Sequence, residues 1–208
     1  MKRGVIVGMA NAGKTLFCTR FAEFLGLRDV QWVIERTDGR TESKRVTLSR
    51  TDTFVDDTSG KTRFLQSMCL EIPWRGRRRR MLITDCAGLV DDGMDDAALR
   101  ASIAQTLTML IEADVILHVI DANQVGRRVD GGDPHKRTHG LSAVDSLIAQ
   151  LAGQKEGYMI LANKMDMPGG KSGYRHLCSK FSKQKVFPIS ALYATGLREV
   201  KQHVWRMA

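Results

Sequence analysis

The sequence predicts an α/β domain: a mostly parallel central sheet with one antiparallel edge hairpin and helices on both faces. Three observations predict it. Short apolar runs alternate with helix-period segments from Val5 to Val204. The stretch Gly8-Met9-Ala10-Asn11-Ala12-Gly13-Lys14-Thr15 has the spacing of a phosphate loop and lies between the first apolar run and the first amphipathic segment. Polar clusters at Asp85 to Gly88 and Asn163 to Asp166 fall where other apolar runs end, the side on which open α/β sheets gather their ligand loops. With 208 residues, 43% hydrophobic and 26% charged, the chain suffices for one sizeable core, so a single domain over 1–208 is expected.

In chain order, Val5 to Val7 is a short buried strand. The two glycines of the phosphate loop let consecutive N–H groups and a helix N-terminus face an anion. Lys14 then reaches the β- and γ-phosphates, and the Thr15 hydroxyl is placed to ligate Mg²⁺. From Gly13 to about Leu27, residues Leu16, Phe17, Phe21, Phe24 and Leu25 share one helical face, and Gly26 is an end signal. Residues 28–62 are polar and too long for an idle loop, which reads as an extended switch region. Within it, Val30 to Ile34 and Arg45 to Leu48 suit a hairpin about Asp38-Gly39.

Phe64 to Ile72 and Arg80 to Thr84 read as two antiparallel strands joined by Pro73 to Arg79. Arg75 and Arg77 to Arg80, with Trp74 beside them, either grip phosphates and stack on a base or form a solvated tip. Asp85 ends the second strand where it can hold Mg²⁺ through water, and Gly88 lets a backbone N–H approach the γ-phosphate. A helix with an acidic start at Asp91 to Asp96 follows, with Leu99, Ile103, Leu107, Leu110 and Ile111 on one face. Val115 to Ile120 is a continuous apolar strand. Residues 123–140 read as a flexible loop whose His135 and His139, though spaced like helical metal ligands, are expected to be solvated among Gly and Pro. Leu141 to Leu151 is a helix with Val144, Leu147, Ile148 and Leu151 as its buried stripe.

After the strand Tyr158 to Ala162 stands Asn163-Lys164-Met165-Asp166. Guanine presents N1–H and its N2 amino group as paired donors that one carboxylate accepts, whereas adenine has no such pair; Asp166 is that carboxylate. Asn163 either faces the other edge of the base or ties its loop to Gly13, and the Lys164 stem covers a ring face. Strand Lys185 to Ile189 leads to Ser190-Ala191-Leu192, where the N–H of Ala191 is the first choice of donor for guanine O6. Thr195-Gly196-Leu197 opens a last helix that buries Leu197, Val200 and Val204. The nucleotide-contacting set is thus Asn11, Ala12, Gly13, Lys14, Thr15, Leu16, Asn163, Lys164, Asp166, Ser190, Ala191 and Leu192.

Composition narrows the class. Cys18, Cys69, Cys86 and Cys178 show neither CxxC spacing nor a His cluster, so no disulfide framework or zinc site is indicated and a reduced, cytoplasmic setting is expected. No apolar run is long enough to span a bilayer, and Met1-Lys2-Arg3 leaves no room for a signal peptide. A formal net charge of +9 favours a polyanionic partner or reflects an inert basic surface.

These motifs, in this order, resemble the translation-factor-like P-loop GTPases, and within them the Era, EngA and TrmE group. Asn11 in the loop, Gly60-Lys61-Thr62-Arg63 as a Gly-x-Thr-Arg switch, and Leu89 after Asp-x-x-Gly carry the closer resemblance. It implies GTP hydrolysis to GDP and phosphate, with Lys14, Asn11, Thr62 and Gly88 as catalytic residues and Mg²⁺ held by Thr15, Thr62 and Asp85. For the switch threonine, Thr58 is the runner-up, with Thr51 and Thr53 weaker. Leu89 stands where Ras-like enzymes carry Gln, which implies slow turnover or help from K⁺ at Asn11 or from a partner. The resemblance also points to ribosome assembly or another RNA-linked task, with ribosomal RNA or a subunit held through Arg75 and Arg77 to Arg80. The other readings are a guanine-nucleotide-dependent interaction module with negligible turnover, and a P-loop nucleotide kinase that Asp166 and the Ser190-Ala191 turn disfavour.

Overall fold

The computed structural model describes residues 1–36, 39–48, 65–86, 97–131 and 140–207. Its elements are β1 (Lys2–Val7), α1 (Lys14–Phe24), β2 (Asp29–Glu35), β3 (Thr41–Thr47), β4 (Leu65–Trp74) and β5 (Arg77–Asp85), then α2 (Ala97–Glu112), β6 (Val115–Asp121), α3 (Ala122–Asp130), α4 (Ala143–Ala152), β7 (Tyr158–Asn163), α5 (Gly170–Lys180), β8 (Lys185–Pro188) and α6 (Leu197–Met207). One sheet takes the order β3-β2-β4-β5-β1-β6-β7-β8. Strands β5, β1, β6, β7 and β8 are mutually parallel, while β5-β4, β4-β2 and β2-β3 are antiparallel.

Period-two alternation divides the core between the two faces of the sheet. Ile6, Leu117 and Leu161 point to the side covered by α1 and α6, where Phe17, Phe21, Trp32, Leu70 and Val200 are buried. Val5, Val7, Ile116 and Ile160 point to the other side and pack with Leu110, Ile148 and Leu177. Being buried on both faces, β6 and β7 read as unbroken apolar runs. Among the described residues, no helix is long and apolar enough to cross a membrane.

The expected 30–34/45–48 hairpin forms β2 and β3, with Val30 opposite Val46 and Ile34 opposite Glu42. The basic connection differs from the expected seven-residue link. Arg75 and Gly76 alone make the turn, with φ of 48° and 76°, the left-handed pair that two-residue hairpin turns require. Arg77 to Arg80 are therefore ladder residues, paired with Trp74, Pro73, Ile72 and Glu71.

Three expectations about helices are corrected. Residues 123–130 are not a flexible loop: they lie in α3, capped by Asp121, whose carboxylate accepts the Gln124 N–H at 2.9 Å. Gly126 and Gly173 let α3 and α5 touch backbone to backbone, since a Cβ on Gly173 would lie 1.8 Å from Ala122 O. The glycine that looked like a loop signal is a packing contact. In α4 the buried face is Asp145, Ile148 and Ala152, while Leu147 and Leu151 are about half exposed. Ser142 caps the helix by accepting the Asp145 N–H and so sets that register. Ile111 is likewise exposed at the end of α2, and Phe24 is only partly covered at the end of α1. The acidic start at 91–96, together with His135 and His139, lies outside the described residues.

Candidate functional site

Strand β1 ends at Val7 and the chain turns at once into the phosphate loop. A Cβ on Gly8 would stand 2.1 Å from Val119 O, so only glycine lets the loop leave the sheet this close to β6. Asn11 at φ 61° and Gly13 at φ 95° complete the curl that opens α1 at Lys14. The Lys14 ammonium reaches back over the loop to donate to Met9 O at 2.8 Å. Burial lowers its pKa, and the nearby Asp85 opposes that shift.

Thr15, on the first turn of α1, donates its hydroxyl to Asp85 Oδ2 at 2.5 Å. Asp85 ends β5 with no exposure, and among the described residues its Oδ1 has no hydrogen-bond partner. Burial pushes its pKa up to about 6, with Lys14 and the Thr15 hydroxyl pulling the other way. An orphaned carboxylate oxygen beside a hydroxyl is a hard-oxygen donor set that suits Mg²⁺ better than softer ions. Among the described residues there is no cluster of three or more His, Cys, Asp or Glu to hold a metal. The other expected members of this end, Thr62, Gly88 and Leu89, with Thr51, Thr53 and Thr58, lie outside the described residues.

The second loop begins where β7 ends. Asn163 is 2% exposed and serves two loops at once: Nδ2 donates to Ala12 O at 2.8 Å, and Oδ1 accepts the Ala191 N–H at 2.9 Å. Of the two roles read for Asn163, the structure has the tie to the phosphate loop. A Cβ on Gly13 would lie 2.3 Å from Asn163 Nδ2, so the second loop glycine is required by this contact as well as by its φ. The Ala191 N–H, expected to be directed at a base oxygen, is thus engaged by Asn163. The next amide in the turn, that of Leu192, has no partner among the described residues.

Asp166 accepts the Ser190 hydroxyl at 2.5 Å through Oδ1, which orients its carboxylate, and Met165 N–H bonds to Ile189 O at 3.2 Å. Lys164 adopts φ 64° and pairs with Asp121 Oδ2 at 2.7 Å. Sequence reasoning missed Asp121. The same carboxylate caps α3 and fixes Lys164, and its signal was an acidic residue ending a buried strand. It also missed a buried group beneath the site: His118 Nδ1 lies 2.8 Å from Tyr158 Oη, and Nε2 lies 3.0 Å from Asp145 Oδ1.

At the basic hairpin, Glu71 accepts Arg78 at 3.2 Å and Arg80 at 2.9 Å, and these bonds hold its carboxyl below the usual range. Arg79 is not available to an external phosphate. Its guanidinium lies 4.2 Å from the Trp205 ring centroid and donates to Trp205 O at 3.0 Å, joining β5 to α6.

The model of the 50S ribosome-binding GTPase family matches residues 3–164. GTPase Obg of Listeria innocua is 31% identical over 128 residues, 60% of this chain and 28% of that protein. The tRNA modification GTPase MnmE of Aquifex aeolicus is 27% identical over 166 residues, 80% of this chain and 31% of its own. The chain therefore spans about three tenths of the length of these curated relatives. Among solved structures, Era of Aquifex aeolicus bound to GDP and AlF₄⁻ superposes with a TM-score of 0.60 at 20% identity, covering 100% of this chain and 57% of that one. The cytosolic domain of L. pneumophila FeoB gives 0.60 at 18% identity, covering 100% of this chain and 70% of that one. These two likenesses establish the fold alone. The family match runs from the first strand to Lys164 in the base loop, and on that ground the chain belongs to the 50S ribosome-binding GTPases, translation-factor-like P-loop proteins.

Proposed function

We propose that the chain binds GTP with Mg²⁺, hydrolyses it to GDP and phosphate, and acts as a nucleotide-dependent switch in a ribosome-linked process. The observation that carries this reading is Asn163, which joins the phosphate loop, the base loop and the 190–192 turn through one buried amide. Asp166, oriented by Ser190, accepts guanine N1–H and the N2 amino group. The 190–192 turn meets O6, with the Leu192 amide as its donor, and the Lys164 stem covers the ring. Backbone amides from Asn11 to Leu16 and the Lys14 ammonium face the phosphates. Thr15 and Asp85, with Thr62 from the switch, would hold Mg²⁺, and the ion would supply positive charge to offset that of the phosphates.

In the reaction, water attacks the γ-phosphorus and the bond to the β,γ-bridging oxygen breaks. Its electron pair leaves with GDP, and the water proton passes to phosphate or solvent. Gly88 registers the γ-phosphate. Leu89 cannot hydrogen-bond the attacking water, so turnover is slow unless K⁺ at Asn11 or a partner adds charge. Equal rates in KCl and NaCl would remove Asn11 as a potassium ligand.

The direct test compares GTP and ATP binding by the wild type and Asp166→Asn. Discrimination should fall by ten- to a hundredfold while the fold persists, and unchanged discrimination would remove the base assignment. The second reading, an interaction module with negligible hydrolysis, is favoured by Leu89; single-turnover hydrolysis separates the two. The partner we propose is ribosomal RNA or a ribosomal subunit. Support comes from the family description and from a solved Era complex with MgGDPNP and part of 16S ribosomal RNA, which resembles this chain in fold.

A further inference from the structure

The densest cation cluster among the described residues lies at the far end of the sheet from the nucleotide loops. Strands β5, β1, β6, β7 and β8 run towards those loops, so the β4–β5 turn marks the opposite pole. At about 3.3 Å per residue, the length of β5 places the turn about 25–30 Å from Asp85. A recess of about 390 Å³ opens there, lined by Pro73, Arg75, Gly76, Arg77, Arg78 and Lys201. Four of the six lining residues are cations and none is an acid. Lys201 comes from α6, half-buried with its Nζ 5.8 Å from the Phe24 ring centroid, so the site is assembled from the β4–β5 hairpin and a helix that Arg79 clamps to it through Trp205. Arg78 is half of a pair with Glu71, whereas the exposed Arg77 side chain makes no hydrogen bond or ion pair among the described residues.

We propose that this recess docks the phosphodiester backbone of a nucleic acid, with Arg77 and Lys201 as its principal contacts. The proposal rests on the RNA-linked part of the function proposed above and names its surface. Guanidinium forks match phosphate oxygens in paired hydrogen bonds, and an ammonium adds a point charge. Acidic protein partners are disfavoured because the described lining residues include no large apolar side chain as a binding anchor. Phosphate contacts position a nucleic acid without reading its bases, so the recognition proposed here is of backbone. Clamped at Trp205 and remote from the phosphate loop, the surface binds in either nucleotide state.

The test is fluorescence polarisation with a labelled RNA duplex and the matching DNA duplex, across a salt series and with polyglutamate as competitor. Arg77→Glu/Lys201→Glu is compared with Lys171→Glu/Arg175→Glu, which also reverses two charges, both exposed on α5. The wild type should bind with a log–log salt slope of about −3 to −4, as four phosphate contacts require. The recess variant should lose at least tenfold in affinity and about two units of slope, while the α5 variant loses less than threefold. Arg77→Ala/Lys201→Ala should show a smaller loss in the same direction. GTP binding, measured on each variant, should be unchanged. A preference for RNA over DNA identifies the source of the backbone. Equal losses in the recess and α5 variants, or competition by polyglutamate at matched charge, would overturn the placement. No binding of either duplex by the wild type would overturn the RNA-linked reading itself.

Discussion

His118 has no exposed surface, yet both ring nitrogens are engaged, one by the Tyr158 hydroxyl and one by Asp145. Burial and the Asp145 charge push the Tyr158 phenol far up, so it stays a neutral hydrogen-bonding group. Such a closed polar set is tolerable in a core only while every member is satisfied. His118→Leu strands both partners and should cost about 2–4 kcal/mol in chemical denaturation, whereas Tyr158→Phe should cost about 1 kcal/mol. Equal costs would mean that the two bonds are not part of one network. His203 supplies a pH dependence. Its Nδ1 accepts from Lys185 Nζ at 3.2 Å, its ring tilts against Phe187, and Arg206 and Glu199 share its recess. Burial first, then Lys185 and Arg206, lower its pKa below the usual histidine value. A folded-state pKa below the unfolded one means that the unfolded chain takes up protons first on acidification. Stability from this residue is therefore full above about pH 6.5 and is lost as pH falls through the lowered value. Melting temperatures measured between pH 7.5 and 5 should fall more steeply for the wild type than for His203→Gln; parallel profiles would exclude His203 as the source.

At the scale of elements, the α3–α5 contact decides how firmly the base loop is held, since α5 follows that loop and Gly169 N–H bonds Asn123 Oδ1 at 3.1 Å. Gly173→Ala places a methyl against the Ala122 carbonyl, and because the obstacle is backbone the helices must separate. We expect a loss of about 1–3 kcal/mol in stability and several-fold weaker GTP binding; a neutral result in both would show that α5 shifts without cost. This contact also marks the limit of sequence reading. The phosphate loop and Asn163 to Asp166 were legible because local spacing fixes their geometry. Helix α3 was not, because its glycine answers to a helix distant in sequence and its cap is a strand residue. The face of α4 was misread for a related reason: Asp145 looks like a solvent residue until His118 is seen beside it. Arg77 to Arg79 looked like part of the connection because charge hid a strand register set by Ile72 and Met81.

Over the whole molecule, two loops 151 positions apart form one site only through the Asn163 amide. Ligand binding and fold stability are therefore linked, because GTP bound across both loops adds contacts that only the folded chain offers. At a hundred times Kd, such binding stabilises the native state by about 2.7 kcal/mol, which raises Tm by about 5–10 °C for a domain of this size. Asn163→Ala removes the tie and leaves Ala12 O and the Ala191 N–H to find other partners. Its Tm without ligand should drop by only a few degrees, because α1 and the strands hold each loop separately. The rise on adding Mg²⁺ and GTP should shrink to about a third or less, since the ligand must now organise both loops itself. ATP at the same concentration should give a smaller shift than GTP with the wild type. A full GTP shift retained by Asn163→Ala would mean that the loops are aligned without this residue, and that the site is organised by the sheet alone.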